Sequence, residues 1–223
     1  MKKLILPLMI AALSVPAMAE LPQSAVLQYS GSFGKLRLPA TMTFTRSGGS
    51  YKIVSNIKVP LYSIRFESGG SISGNTLQPS YYKDVRGGKL YAQAKFGGGK
   101  ITYGKAGKQK TEADSGSTMD LFTLAWQLAA NDAKLPAGTR ITNGKKIYRV
   151  GSLNSAGSAQ YKIGGTATTV NRYRVTRGDD TVSYAFAPEF NNIPAQISYT
   201  DDGKTYNLRL TSVKINGQSV PSK

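Results

Sequence analysis

The residues best placed by type and spacing to do chemistry are two adjacent carboxylate pairs, Asp179-Asp180 and Asp201-Asp202, the second followed by Gly203 and Lys204. Paired carboxylates beside a cation are the equipment of general acid–base or glycosyl-transfer chemistry. Extended backbone works against that use, because neighbours on a strand project to opposite faces and do not converge on one atom. Each pair also falls between alternating apolar stretches, where Asp is favoured because it caps its own backbone in a turn. Both pairs therefore read as hairpin turns. Neither supplies the spaced oxygen ligands of a calcium loop.

Histidine and cysteine are absent from the sequence. That removes His-based acid–base catalysis, Ser-His-Asp and Cys-His nucleophiles, and the usual zinc and copper ligands. A Ser-Lys dyad is the remaining nucleophile chemistry, but the serines sit in Gly-rich turns or on polar strand faces. The expectation is a non-enzymatic protein with no cofactor and no metal.

Cations carry the stronger signal. Between Lys83 and Lys110 lie Arg86, Lys89, Lys95, Lys100, Lys105 and Lys108, with Asp84 as the only acid and Tyr91, Phe96 and Tyr103 interleaved. Such a mixture would suit single-stranded nucleic acid, with rings stacking bases and lysines tracking phosphates. The export signal described next argues against that partner and for an anionic lipid head group or lipopolysaccharide. Lys89, Lys95, Lys100, Lys105, Lys108 and Lys110 are the candidate anion contacts. The alternative is a solvated strand face whose lysines guard against edge pairing.

The first residues, MKKLILPLMIAALSVPAMAE, have the form of a secretory signal peptide: Lys2 and Lys3, an apolar run from Leu4 to Val15, and Ala17-Met18-Ala19 as the small–x–small cleavage pattern. Cleavage is expected after Ala19, which predicts a periplasmic location. The apolar run is too short to span a bilayer, so the mature chain is not expected to be membrane-spanning. Removing the leader lowers the formal charge from +17 to +15, since it holds two lysines and no acid. An excess of that size favours anionic partners, or else only keeps a β-rich monomer soluble.

The elements that must position these residues are strands. Leu36, Leu38, Ala40, Met42 and Phe44 share one face of LRLPATMTFTR, and Tyr51, Ile53, Ile57 and Val59 share one face of the next stretch. Pro39 lacks a ladder N–H and points to an edge or bulge. Ser47-Gly48-Gly49-Ser50 reads as a hairpin. The same alternation recurs through Tyr62/Ile64/Phe66, Val182/Tyr184/Phe186, Ala195/Ile197/Tyr199 and Tyr206/Leu208/Leu210. The pattern predicts one mainly β domain over 20–223. It would be a single antiparallel, strongly curved sheet or half-barrel of about 10 to 12 strands.

One segment has a different period. Leu121, Leu124, Ala125 and Leu128 recur at helical spacing. A helix is predicted over 118–131, with Ser117 and Asp120 as a capping-box-like start. Phe122 and Trp126 form a second apolar stripe. A helix so apolar needs cover on most sides. It either enters the open end of the barrel as a lid or plug, or packs on the outer face.

The C-terminal run from Phe190-Asn191-Asn192-Ile193-Pro194 through Asp202-Gly203 to Leu208-Arg209-Leu210 resembles the end of the bacterial family catalogued as domain of unknown function 3108. Gly70 to Lys89 and the helix around Asp120 are also similar to that family. The resemblance implies an exported Gram-negative protein with a barrel-like sheet, and carries no catalytic residues. The combined expectation is a periplasmic protein binding an apolar or anionic amphipathic envelope ligand inside its sheet. The alternative is an envelope protein-interaction module with an interior filled by Phe44, Phe66, Phe186 and Leu208.

Overall fold

The computed structural model describes residues 20–33, 36–201 and 203–219, so the predicted leader, its cleavage point and Asp202 lie outside the described residues. The first eight strands are β1 (Ser24–Phe33), β2 (Leu36–Ser47), β3 (Ser50–Val59), β4 (Tyr62–Ser73), β5 (Thr76–Arg86), β6 (Lys89–Gly97), β7 (Lys100–Lys105) and β8 (Lys108–Ala113). A short β9 (Thr118–Asp120) leads into the helix α1 (Leu121–Ala130). There follow β10 (Arg140–Thr142), β11 (Ile147–Ile163), β12 (Thr166–Arg177), β13 (Asp180–Ala187), β14 (Ile193–Asp201), β15 (Lys204–Ile215) and β16 (Gln218–Ser219).

All sixteen strands belong to one sheet, in the order β8-β7-β6-β5-β4-β3-β2-β1-β15-β14-β13-β12-β11-β10-β9, with β16 on the side of β15. The sheet curls until its two end regions approach one another without joining through a backbone ladder. The count exceeds the expected ten to twelve because β9, β10 and β16 are too short to show a period, and β11 is rich in Ser and Gly. One pair also departs from the antiparallel rule, since β9 and β10 run parallel.

Two-residue hairpins give the curl two distinct rims. Five of them lie on one rim, the back rim: Gly48-Gly49, Gly74-Asn75, Gly98-Gly99, Gly164-Gly165 and Asn216-Gly217. The longer β13–β14 connection, with a 3-10 turn at Pro188–Phe190 followed by Asn191-Asn192, lies there too. Tight hairpins whose twist matches the strands require positive φ at the turn, which Gly and Asn tolerate best; Asn216 and Gly217 have φ of 50° and 81°. The opposite, front rim carries the turns at Pro60-Leu61, Gly87-Gly88, Ala106-Gly107 and Gly178-Asp179, together with the loop 143–146. The Asp179-Asp180 pair stands at a hairpin connection there, with Arg177 paired to Asp180, and Asp201 pairs with Lys204 at the end of β14.

The helix runs inside the curl, and all ten of its residues are buried. It is three residues shorter at its start than predicted, because Thr118–Asp120 is still strand. Asp120 itself is the N-cap, its Oδ1 accepting from the N–H groups of Phe122 (2.9 Å) and Thr123 (3.1 Å); Ser117 takes no part in the cap. Trp126 stacks on Phe44 with centroids 4.4 Å apart, and Phe122 meets Phe66 at 5.2 Å. At the helix's later turns Gln127 accepts from the Leu77 N–H (2.7 Å) and donates to the Asn75 carbonyl (2.9 Å), which ties this end to the back rim. The back half of the interior is thus plugged by α1.

Candidate functional site

Pro39 has a visible consequence for the front half. The β2–β3 ladder stops at Ala40 opposite Ile57, while β2 continues to Leu36 with β1 as its only partner. Proline offers no N–H to a ladder, and here the two strands splay apart. Between them opens a chamber of about 420 Å³. Its apolar walls come from Leu38, Ile57, Ile64, Phe66 and Leu208, and Leu121 and Phe122 at the start of α1 close it from within. Leu36, Leu61 and Tyr62 stand at its mouth and are exposed.

A few polar groups interrupt this lining. Asp84 is buried and takes a two-pronged ion pair from Arg86, with Nε at 3.1 Å and Nη2 at 2.9 Å. The Arg86 guanidinium in turn lies 3.9 Å from the Tyr91 ring centroid. Burial first, then the Asp84 and Asp120 carboxylates, hold the Tyr82 phenol well above its ordinary 10, so it stays neutral. The 143–146 loop completes the wall through Asn143 and Lys145. Gly144 in that loop sits so close to Tyr82 that an added Cβ would lie 3.0 Å from the ring.

Lys145 also lines a second concavity, a cleft of about 410 Å³ along the seam where the sheet's ends approach. One side of the cleft is β6–β8, with Tyr91, Tyr103, Lys105, Lys108 and Lys110; the other is Lys145, Lys146 and Tyr148. Cross-strand partners share a face, and Lys110 pairs with the inward Tyr103, as Glu112 does with Ile101. The edge strand therefore turns these side chains toward the gap. Lys105 and Lys108 are direct cross-strand partners, an arrangement that costs stability unless an anion lies between them. Lys110 rests over the Tyr103 ring at 5.0 Å, and the Tyr103 hydroxyl donates to Glu112 at 2.7 Å.

Toward the back rim the same seam is fastened. Arg140 of β10 donates to Glu112 (3.1 Å), to Asp114 (2.7 Å) and to the Ala113 carbonyl (3.2 Å), and its Nε reaches Thr118 at 2.9 Å. One guanidinium thus spans the two ends of the strand order.

Of the six predicted anion contacts, Lys105, Lys108 and Lys110 meet in the cleft. Lys89 is on the same rim but outside it, beside the Gly87-Gly88 turn. Lys95 is exposed farther along β6, and Lys100 stands toward the back rim near Asp114 and Thr118. Phe122 is a wall of the chamber, while Trp126 is a core residue of the plug with no access to it. The sequence carries the Ser-x-x-Lys spacing at Ser55/Lys58 and at Ser80/Lys83. Yet Ser55 is buried while Lys58 is exposed, and Ser80 donates to the Gly69 carbonyl (3.1 Å) with Lys83 on the other face of β5, so neither forms a dyad. The periodicity did not reveal Arg140, Lys145, Lys146 or the fully buried Arg177. Arg177 lies 4.6 Å from the Tyr148 ring and pairs with Asp180 at 3.5 Å. Its Nε and Nη1 have no partner among the described residues. The signal for Arg177 was its place two residues after Val175, on the inner face.

Among the described residues no helix is long and apolar enough to cross a membrane. Neither a family model nor a curated protein matches the sequence. A solved structure described as a beta-barrel-like protein of domain of unknown function 1849 from Brucella abortus is similar in fold, with a TM-score of 0.50 at 10% identity. The match covers 89% of this chain and 99% of that one. It supports a β-barrel-like domain of unknown function, and does not single out the family read from the C-terminal third of the sequence.

Proposed function

We propose that the protein is a non-enzymatic, exported binding protein that takes up the apolar portion of an anionic amphiphile in the front chamber and holds its head group at the lysine cleft. The observation that carries this reading is continuity: Lys145 lines both the apolar chamber and the basic cleft. A volume of about 420 Å³ falls in the range of small-molecule sites, which are apolar with a few placed polar groups. The predicted leader and the +15 charge point to a ligand of the cell envelope, and the lipid-like members of that class fit both cavities at once. The competing reading, an interaction module with a filled interior, accounts for the helix-plugged back half but leaves the hollow front half without a purpose.

The test is native mass spectrometry after incubation with palmitate, dodecyl phosphate or dodecanol. The expected result is a one-to-one complex with the two anions and weaker retention of the alcohol. Ile64→Trp, which puts an indole into the chamber, should abolish retention while the thermal melt stays cooperative. Equal retention of all three by wild type and variant would refute the chamber as the site.

A further inference from the structure

The two rims differ in a way that hairpin geometry does not require. On the back rim the two-residue turns are built of Gly and Asn, which tolerate positive φ, and the one longer connection, 188–192, keeps Phe190 partly buried against the core. On the front rim Pro60 precedes Leu61, whose side chain is 94% exposed. Proline cannot adopt the positive φ of those other turns, and nothing about this turn calls for a large apolar tip. The other large apolar residues that are exposed among the described ones are Leu36 (52%), Tyr62 (48%) and Leu90 (37%). All lie at or next to front-rim turns, and Leu36, Leu61 and Tyr62 surround the chamber mouth.

The same arc of the rim, from β2 to β8, is basic. Arg37, Lys58, Lys89, Lys105 and Lys108 are exposed there. The carboxylates nearest this arc are neutralised, Asp84 buried against Arg86 and Glu67 paired with Arg65 and Lys52. On the opposite arc the exposed charges are mixed, with Asp179 at the β12–β13 hairpin and Lys146 and Arg149 at and beside the 143–146 loop. What sets the β2–β8 arc apart is that it alone carries the exposed large apolar side chains among the described residues. Exposed apolar tips ringed by cations suit an anionic lipid interface: the tips enter the boundary with the acyl chains while the cations meet head groups.

We infer that the β2–β8 arc of the front rim docks the protein on an anionic bilayer surface, with Leu61 as the inserting tip and the chamber mouth facing the lipid. This goes beyond the ligand reading and does not depend on it, since docking needs no occupied chamber. The closing measurement is co-sedimentation of the chain from Glu20 onward, which carries every described element, with phosphatidylglycerol-containing or pure phosphatidylcholine vesicles. The expected result is partitioning to the anionic vesicles that weakens with salt. Leu61→Asp should lower it about tenfold and Lys58→Gln about fivefold, both with unchanged melting curves because these side chains are exposed.

Lys100→Gln near the back rim is the orientation control and should change little. The chamber-filling Ile64→Trp should keep vesicle binding while losing amphiphile retention, which separates this inference from the ligand reading. Partitioning that Leu61→Asp leaves intact, or that Lys100→Gln lowers as much as Lys58→Gln does, would overturn the proposal. So would a concentration-dependent dimer that Leu61→Asp abolishes, because the tip would then belong to contacts between two copies.

Discussion

The two ends of the interior are built on opposite principles from the same strands and the same helix. Toward the back, Trp126 and Phe44 stack, Gln127 seals the Gly74-Asn75 turn, and Arg140 fastens the seam. Toward the front, the helix has only begun, β2 and β3 part at Pro39, and the seam is lined by lysines. Stability is therefore concentrated at one end, which frees the other to stay hollow, exposed and repulsively charged. A domain whose packing was uniform could not carry an open chamber and a like-charge cluster without compensation elsewhere.

The largest expected effect tests that division directly. Phe44→Ala removes a fully buried ring from a filled site and should cost about 4 kcal/mol. Phe122→Ala, on a side chain that already borders empty space and so makes fewer contacts, should cost about 2 kcal/mol. Urea unfolding followed through Trp126 fluorescence compares the two; equal losses would mean that the front half is as tightly packed as the back.

Next comes the clasp. Arg140→Met strands the buried Asp114 carboxylate and should cost about 3 kcal/mol. Hydrogen exchange should locate the loosening in β8 and β9, and a uniform rise in exchange would deny the seam any local role.

A smaller effect concerns pH. Burial alone would raise the Glu67 pKa, but hydrogen bonds from Arg65, Lys52 and Tyr81 hold it at about 2, against an ordinary 4.5. A folded pKa below the unfolded one means that this contribution is present above pH 4.5 and is lost as pH falls from 4.5 toward 2. Glu67→Gln should therefore flatten the stability profile across that window, by about 1 kcal/mol after allowance for solvent screening. An unchanged acid limb would show the cluster to be energetically idle.

The smallest effect has the opposite sign. Lys108→Glu replaces a like-charge cross-strand pair with an attractive one opposite Lys105, and should raise stability by about 0.5 kcal/mol. The same change should weaken retention of dodecyl phosphate. A variant that is more stable and binds worse is the signature expected where function holds a local cost in place.

What the sequence disclosed follows from the range of each interaction. Alternation in LRLPATMTFTR and in the last hairpin is local, so the strands, their inner faces and the turn role of Asp179-Asp180 were legible. Pro39 announced an interrupted ladder, and the structure shows where it matters. The helix was legible by its period, but its start was not, because Asp120 ends a three-residue strand too short to alternate and caps the helix from there. Lys105, Lys108 and Lys110 could be named as cations but not placed opposite Lys145 and Lys146. That meeting depends on how far the whole sheet curls, a sum over sixteen strands to which no short stretch testifies. Arg140 was invisible for the same reason.

That arginine has one more consequence. In a closed barrel, strand number and stagger together set the girth, and changing it means slipping a ladder of hydrogen bonds. Here the ring is split. Its ends are held at Arg140 by charge-assisted bonds to two carboxylates and a carbonyl, with no backbone register across the gap. The circumference is thus not quantised: the ring can widen or narrow by small rotations about its strands, and only side-chain bonds need to be remade. The bore of such a molecule is a continuous variable.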